Sequence, residues 1–324
     1  MELTVIVPVY NGEKSISRTL DSLVNQTSKE IEILVINDGS IDNTKDIVNG
    51  YVEKYNNITL INKENGGIAS ARNCGINNVK TKYFGFVDSD DYVEKEMYDE
   101  MLSKIKEDDS DICVCNFFWE YPNKIEEHKE KEYHNPKEMI TRLFSTLWNK
   151  IYKTELIKKC DLSFPDGYRY EDSYFLYCLA GNELKISFVD RSFVHYMQVG
   201  NSITHTHNDK VKDMIHVFNE IKKYYIKHNL DIEYHDELEF LFAKFFLGNS
   251  FLRTCQIKDK EDRSKTLKMS WDILIDNYPN FKNNKYVREF TGFKGVYYQL
   301  INKNNYLIIG NLLHVFGFFK KDLY

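Results

Sequence analysis

Four short apolar runs, at residues 3–10, 31–37, 58–62 and 83–87, each stop at a knot of small and polar residues, and this constrains the fold more than any other feature of the chain. β-Branched and aromatic runs of this length read as strands. Between the first three lie amphipathic stretches, with Ile16, Leu20, Leu23 and Val24 apolar in one and Ile47, Val48 and Val52 in the next, spacings that predict helices packed on a sheet. Strand, helix, strand in this rhythm predicts an α/β fold, a Rossmann-like, mostly parallel central sheet flanked by helices. In such sheets the ligand crevice lies outside the carboxyl ends of the strands. Here those ends carry Asn11-Gly12, Asp38-Gly39-Ser40, Glu64-Asn65-Gly66-Gly67 and Asp88-Ser89-Asp90-Asp91, so all four point at one site.

The last cluster places three carboxylates within four residues. Such a concentration of negative charge is costly without a cation, and a divalent metal held there could bridge a diphosphate and stabilise its charge on departure. A solvated turn with Asp91 capping the next helix accounts for the same residues. Asp38 offers a carboxylate beside a flexible glycine, suited to a base or ribose, although Asp-Gly-Ser is also a common turn. Asn65-Gly66-Gly67 leads into Ala69 to Asn73, so glycines open a helix whose amide end favours an anion and whose first turns carry the Arg72 guanidinium. Each cluster alone is an ordinary turn; their convergence is what favours a bound diphosphate.

Composition narrows the partners. Across 324 residues, 43 Lys and Arg against 49 Asp and Glu give a net charge of −6, which excludes the global basic field that holds nucleic acid. Six scattered cysteines without a CxxC pair indicate neither a disulfide framework nor a zinc site, so a reducing cytoplasm is expected. The chain opens on a β-branched run without the basic leader of a signal peptide, and no run reaches about eighteen uninterrupted apolar residues. The expected location is cytoplasmic, in solution or at the inner face of the membrane.

Taken in order and spacing, Val5 to Asn11, Asn37 to Ser40, Glu64 to Asn73 and Phe86 to Asp91 resemble glycosyltransferase family 2. The resemblance implies a GT-A fold, an inverting transfer from a nucleotide diphosphate sugar, a UDP-sugar above all, and Mn2+ or Mg2+ as cofactor. It also implies roles. Pro8, Val9, Tyr10 and Asp38 would surround the base, with Asn11, Asn65, Gly67, Arg72 and Ser89 in the same nucleotide-sugar site. Asp88 would face the ribose or sugar, and Asp90 would be the principal metal ligand.

Further along, Trp148 to Lys153 and Gly167 to Phe175 resemble the acceptor-side region of that family. Inversion by direct displacement needs a carboxylate to take the acceptor hydroxyl proton on the face opposite the diphosphate. Asp172 is the expected base with Glu171 supporting it; acidic residues favoured in a first helical turn would also account for the pair. The segment at 194–204 resembles a family segment in which arginine is frequent where Met197 stands, so one diphosphate contact is in doubt. His195, His205 and His207 offer imidazoles for a metal shell or a phosphate, and His205 is the expected second metal ligand.

The resemblance stops near residue 205. The expected organisation is a GT-A domain at 1–207, its donor half at about 1–120 and its acceptor side at about 121–207, followed by a helical C-terminal region at 208–324. The charged stretch at 125–136 reads as an exposed connection or hairpin. In the last third, apolar patches at 240–247 and 306–321 read either as helical core and a homo-oligomer surface, or as a peripheral membrane contact ended by Lys320 and Lys321. A dinucleotide oxidoreductase is disfavoured, since Val9-Tyr10-Asn11-Gly12 stands where GxGxxG would follow the first strand.

The expected function is transfer of a hexosyl or N-acetylhexosaminyl group to a hydroxyl of a saccharide, lipid-linked or glycoprotein acceptor. Assembly of a surface polysaccharide, wall polymer or glycoprotein glycan is the implied setting. A catalytically inactive nucleotide-sugar-binding subunit is the alternative, and a turnover assay separates the two.

Overall fold

The computed structural model describes residues 1–198 and 212–316. The chain divides into two compact units, Met1–Gly167 with Glu171–Gly200, and Tyr168–Tyr170 with Asn201–Tyr324.

In the first unit the strands are β1 (Leu3–Val9), β2 (Ile31–Asp38), β3 (Ile58–Lys63), β4 (Tyr83–Phe86), β5 (Tyr92–Val93), β6 (Ile112–Tyr121), β7 (Lys124–His128), β8 (Lys150–Lys153) and β9 (Ile186–Met197). They form one sheet in the order β3-β2-β1-β4-β8-β6-β9-β5, with β7 on β6. The four runs read from the sequence become the parallel half, β3-β2-β1-β4. Their register sets the site, because Val9 lies opposite Asn37 and Asn37 opposite Asn62, so three strands end at one level.

Alternation along β1 sends Leu3, Val5, Val7 and Val9 into a core shared with Ile16, Leu20 and Leu23 of the helix Ile16–Val24. Ile6 points to the other face, against the helix Gly67–Asn78. That helix lies close because its buried residues are mostly small, Ala69, Ala71 and Gly75; a Cβ on Gly75 would come within 2.4 Å of Ile6.

Beyond β4 the sheet turns mixed, with β8 antiparallel to β4 and β6, and β6 parallel to β9. Residues 112–121 are the strand that period-2 patterning misses. Ile112 to Phe117 are buried without a break because both faces of β6 are covered, so no polar alternation marks it. The charged segment that follows forms the exposed β6–β7 hairpin.

The second unit is helical: Asp213–Lys227, His235–Lys244, Ser250–Cys255, Lys260–Asn277, Lys285–Arg288, Gly292–Leu300 and Tyr306–Phe316. A π-helical turn, Phe245–Asn249, joins the second of these to the third. Phe218 packs against Phe242, Phe245 and Phe246 at its centre. Among the described residues no helix is long and apolar enough to cross a membrane.

Candidate active site

The loop after β1 is locked to the loop after β2. Asn11 adopts φ 51°; its side-chain oxygen accepts the Ile41 N–H, and its own N–H donates to Ser40 Oγ, both at 2.9 Å. The Gly12 N–H donates to buried Thr44 at 2.8 Å, and a Cβ on Gly12 would sit 2.7 Å from Val9, so only glycine turns this tightly here. Pro8 and Val9 are buried strand residues. Of Pro8, Val9 and Tyr10, only Tyr10 reaches the surface, 50% exposed.

Asp38, expected beside a base or ribose, has both carboxylate oxygens engaged by the chain itself. One of its oxygens accepts Lys63 Nζ at 2.5 Å and the Gly66 N–H at 3.0 Å, while the other accepts the Gly67 N–H at 2.8 Å. The amide end of the helix Gly67–Asn78 thus already holds an anion, the chain's own. A nearly buried carboxylate must find donors, and these amides are the nearest orphans. Asn65 closes the same loop by donating to the Asp38 carbonyl oxygen at 2.9 Å, and Gly67 takes φ 84° to make the turn.

The carboxylate cluster after β4 splits. Asp91 is buried: one oxygen accepts the Met197 N–H at 2.8 Å, and among the described residues the other has no partner. Burial, with the charges of Asp88 and Asp90, pushes its carboxyl well above the usual range. Asp91 is thus neither a member of an open triad nor a helix cap, since the next helix begins at Met97 with Glu96 before it. Its bond instead brings the backbone of Met197 to the carboxylate turn. Asp90 is exposed and Asp88 and Ser89 partly so. Desolvation by the surrounding chain and the charge of Asp88 push the Asp90 carboxyl up. A divalent cation would relieve this repulsion, and two hard oxygen donors on one turn suit such an ion.

Arg72 joins the turn after β4 to the start of the helix Glu171–Ala180. Its guanidinium donates to Asp88 Oδ1 at 3.0 Å and to Glu171 Oε1 at 2.5 Å, with rings of Phe86 and Phe164 at 6.0 and 5.7 Å. Among the described residues its Nε has no hydrogen-bond partner. Burial opposes the charge, but Asp88, Glu171 and Asp172 outweigh it and raise the guanidinium's pKa. Glu171 and Asp172 open the helix Glu171–Ala180, Glu171 buried and Asp172 half-buried. The Glu171 carboxyl is pushed up to about 7, because burial and the charges of Asp172 and Asp88 exceed the attraction of Arg72.

Two residues escape sequence reasoning. Asn73, quoted only as part of a motif, exchanges two hydrogen bonds with the backbone of Phe164, at 2.9 and 2.8 Å, and so fixes the ring beside Arg72. Its adjacency to Arg72 is the sequence signal. Arg18 donates to the Asp90 carbonyl oxygen at 2.5 Å and lies 5.5 Å from the Tyr92 ring. Nothing local marks it, since it stands on the polar face of an amphipathic helix.

His195 spends both nitrogens, Nδ1 on Glu120 at 2.8 Å and Nε2 on Glu94 at 2.9 Å, which corrects its expected availability to metal or phosphate. His205 and His207 lie outside the described residues. In the segment Trp148 to Lys153, Asn149 and Lys150 are fully buried, with Lys150 Nζ donating to Thr146 O and Asn149 Oδ1 at 2.8 Å each, so both belong to the core.

The family model of Glycosyl transferase family 2 matches residues 4–169. The Bacillus subtilis (strain 168) protein named uncharacterized glycosyltransferase EpsJ is 31% identical over 215 residues, which is 62% of this chain and 62% of that protein, so less than two thirds of EpsJ is spanned. Among solved structures, S. aureus TarS 1-349 in complex with UDP-GlcNAc gives a TM-score of 0.62 at 23% identity, covering 90% of this chain and 93% of that one. The mannosyltransferase PcManGT from Pyrobaculum calidifontis, in complex with GDP-Man and Mn2+, gives 0.53 at 14% identity, covering 98% and 88%. At these identities the two structures speak for the fold.

Proposed function

Because the chain belongs to glycosyl transferase family 2 and has the GT-A fold, we propose that it is an inverting, divalent-metal-dependent transferase moving a hexosyl or N-acetylhexosaminyl group from a UDP-sugar to an acceptor hydroxyl. The observation that carries this reading is Arg72, whose guanidinium ties Asp88 of the donor-side turn to Glu171 beside Asp172. Donor-side and acceptor-side carboxylates are thereby parts of one network.

In this mechanism Asp172 takes the proton of the acceptor hydroxyl as that oxygen attacks the anomeric carbon, and the bond from that carbon to the diphosphate oxygen breaks on the opposite face. The products are an inverted glycoside and UDP. Glu171 and Arg72 hold the helix start that carries Asp172. Asp90, with Asp88 near the sugar, would hold Mn2+ or Mg2+, which when bound supplies Lewis-acid stabilisation of the leaving diphosphate. The complexes of TarS with UDP-GlcNAc and of PcManGT with Mn2+ support the donor class and the metal. The acceptor is read as a saccharide or lipid-linked glycan of a surface polymer. No disulfide joins the six cysteines, all of them described, which suits a cytoplasmic setting.

Calorimetry of UDP with and without Mn2+ tests this. UDP affinity should rise with metal in the unmodified protein and lose that dependence in Asp90→Ala, which stays folded. Equal UDP affinity with and without metal would overturn the metal site. A product that retains the donor's anomeric configuration, read by NMR, would overturn inversion.

A further inference from the structure

The helical unit carries an exposed apolar face. The helix Gly292–Leu300 exposes Phe293, 78% accessible, together with Val296 and Leu300, at the i, i+3, i+7 spacing of one helical face. Beside it runs a groove of about 430 Å³ whose lining includes Val287, Phe290, Val296 and Leu300. Arg288 is the charged residue in that lining. Lys294 Nζ stands 4.2 Å from the Phe290 ring, and Lys282 donates to the Gln299 carbonyl oxygen at 2.8 Å, so two more cations flank the groove. Glu289 precedes Phe290 in the chain and is not part of the lining. The next helix, Tyr306–Phe316, contains no Asp, Glu, Lys or Arg and exposes Ile308, Leu312 and Val315.

The charge of the whole chain is divided unequally. Residues 282–324 hold seven Lys and Arg against two Asp and Glu, a net +5, whereas residues 1–281 hold 36 against 47, a net −11. We propose that this face docks on an anionic lipid bilayer. Phe293, Val296 and Leu300 enter the boundary between headgroups and acyl chains, and Arg288, Lys294 and Lys282 meet lipid phosphates. A second copy of the chain is the poorer occupant, since pairing this face with itself sets like charges opposite each other.

Co-sedimentation of the full chain with vesicles tests the proposal without any sugar donor. Vesicles of phosphatidylglycerol mixed with phosphatidylcholine should bind it about tenfold or more tightly than phosphatidylcholine alone, and salt should weaken the difference. The triple variant Phe293→Ser, Val296→Ser, Leu300→Ser removes exposed side chains only and should lose binding by about tenfold or more with its thermal melt retained. The double variant Arg288→Glu, Lys294→Glu should lose the preference for anionic lipid. Equal binding to both vesicles, binding to neither, or binding unchanged in the triple variant overturns the proposal. So does a dimer seen by light scattering that the triple variant abolishes, which would assign the face to a second copy.

Discussion

Arg72 and His195 are both nearly buried and both bridge two carboxylates, yet they finish their networks differently. His195 stacks at 4.2 Å on Tyr92, and the Tyr92 hydroxyl donates to the same Glu120 oxygen that faces His195 Nδ1, so this cluster closes on itself. Among the described residues the Arg72 network stays open: Nε is unpartnered, Asp88 keeps more than a quarter of its side chain accessible, and Glu171 is held far from its ordinary pKa. Charge density alone therefore does not distinguish the two networks. On the proposed reading, unspent capacity beside the strand-end loops does.

The sharpest way to break that contrast is at Asp172. If it is the base, Asp172→Asn should lower turnover by about a hundred- to ten-thousand-fold while leaving UDP affinity nearly unchanged. Glu171→Gln keeps an acceptor for Arg72 and should be milder. A collapsed rate for Glu171→Gln with a near-normal Asp172→Asn would exchange the two roles, and two active variants would remove both.

Removing the cation comes next. Arg72→Met strands Asp88 and the buried Glu171, and breaking a buried pair from one side costs about 3–5 kcal/mol. Denaturant melts at pH 8 should show a loss of that order, smaller at pH 5 where Glu171 carries a proton. A loss below about 1 kcal/mol at pH 8, the value for an exposed pair, would mean the network contributes little.

The strand-end loops were legible because each is a few contiguous residues, where periodicity locates them and Gly, Asp and Asn betray a special turn. What sequence could not supply was pairing across distance. Arg72 and Glu171 are 99 residues apart, and only the helix start at Glu171 facing the helix Gly67–Asn78 makes them partners. The inward turn of Asp91 was hidden for the same reason, since its partner is the backbone of Met197, 106 residues on. Asp38 shows a different limit: the sequence offered an anion site and an anion separately, and folding joined them. β6 was lost because burial on both faces erases the alternation that marks a strand.

Acidity sharpens the comparison further. With its carboxyl raised from 4.5 to about 7, Glu171 binds more proton in the folded chain than in the unfolded one between those values. Stability from this group is complete below about pH 4.5 and is lost as pH rises through about 7, a change of roughly 1–3 kcal/mol. The difference in stability between the unmodified protein and Glu171→Gln should follow that window, read from urea melts at several pH values. A flat difference would mean that Arg72 offsets the burial of Glu171 completely.

The smallest effect belongs to the closed cluster, and it is the control for the rest. His195→Gln cannot reach both Glu120 and Glu94, so it gives up one charged hydrogen bond and the flat ring stacked on Tyr92. Glu94 is nearly half accessible and water replaces its partner, whereas Glu120 keeps the Tyr92 hydroxyl, so the loss should be only about 1–2 kcal/mol. If the cluster is a strut between β5 and β9, turnover at a temperature well below the melt should stay within about threefold of the unmodified rate, because no transition-state contact is removed. A large fall in kcat with an unchanged melting temperature would show that the strut reaches the chemistry, by way of Asp91 and the carboxylate turn one residue before Tyr92, and would erase the distinction between the closed network and the open one.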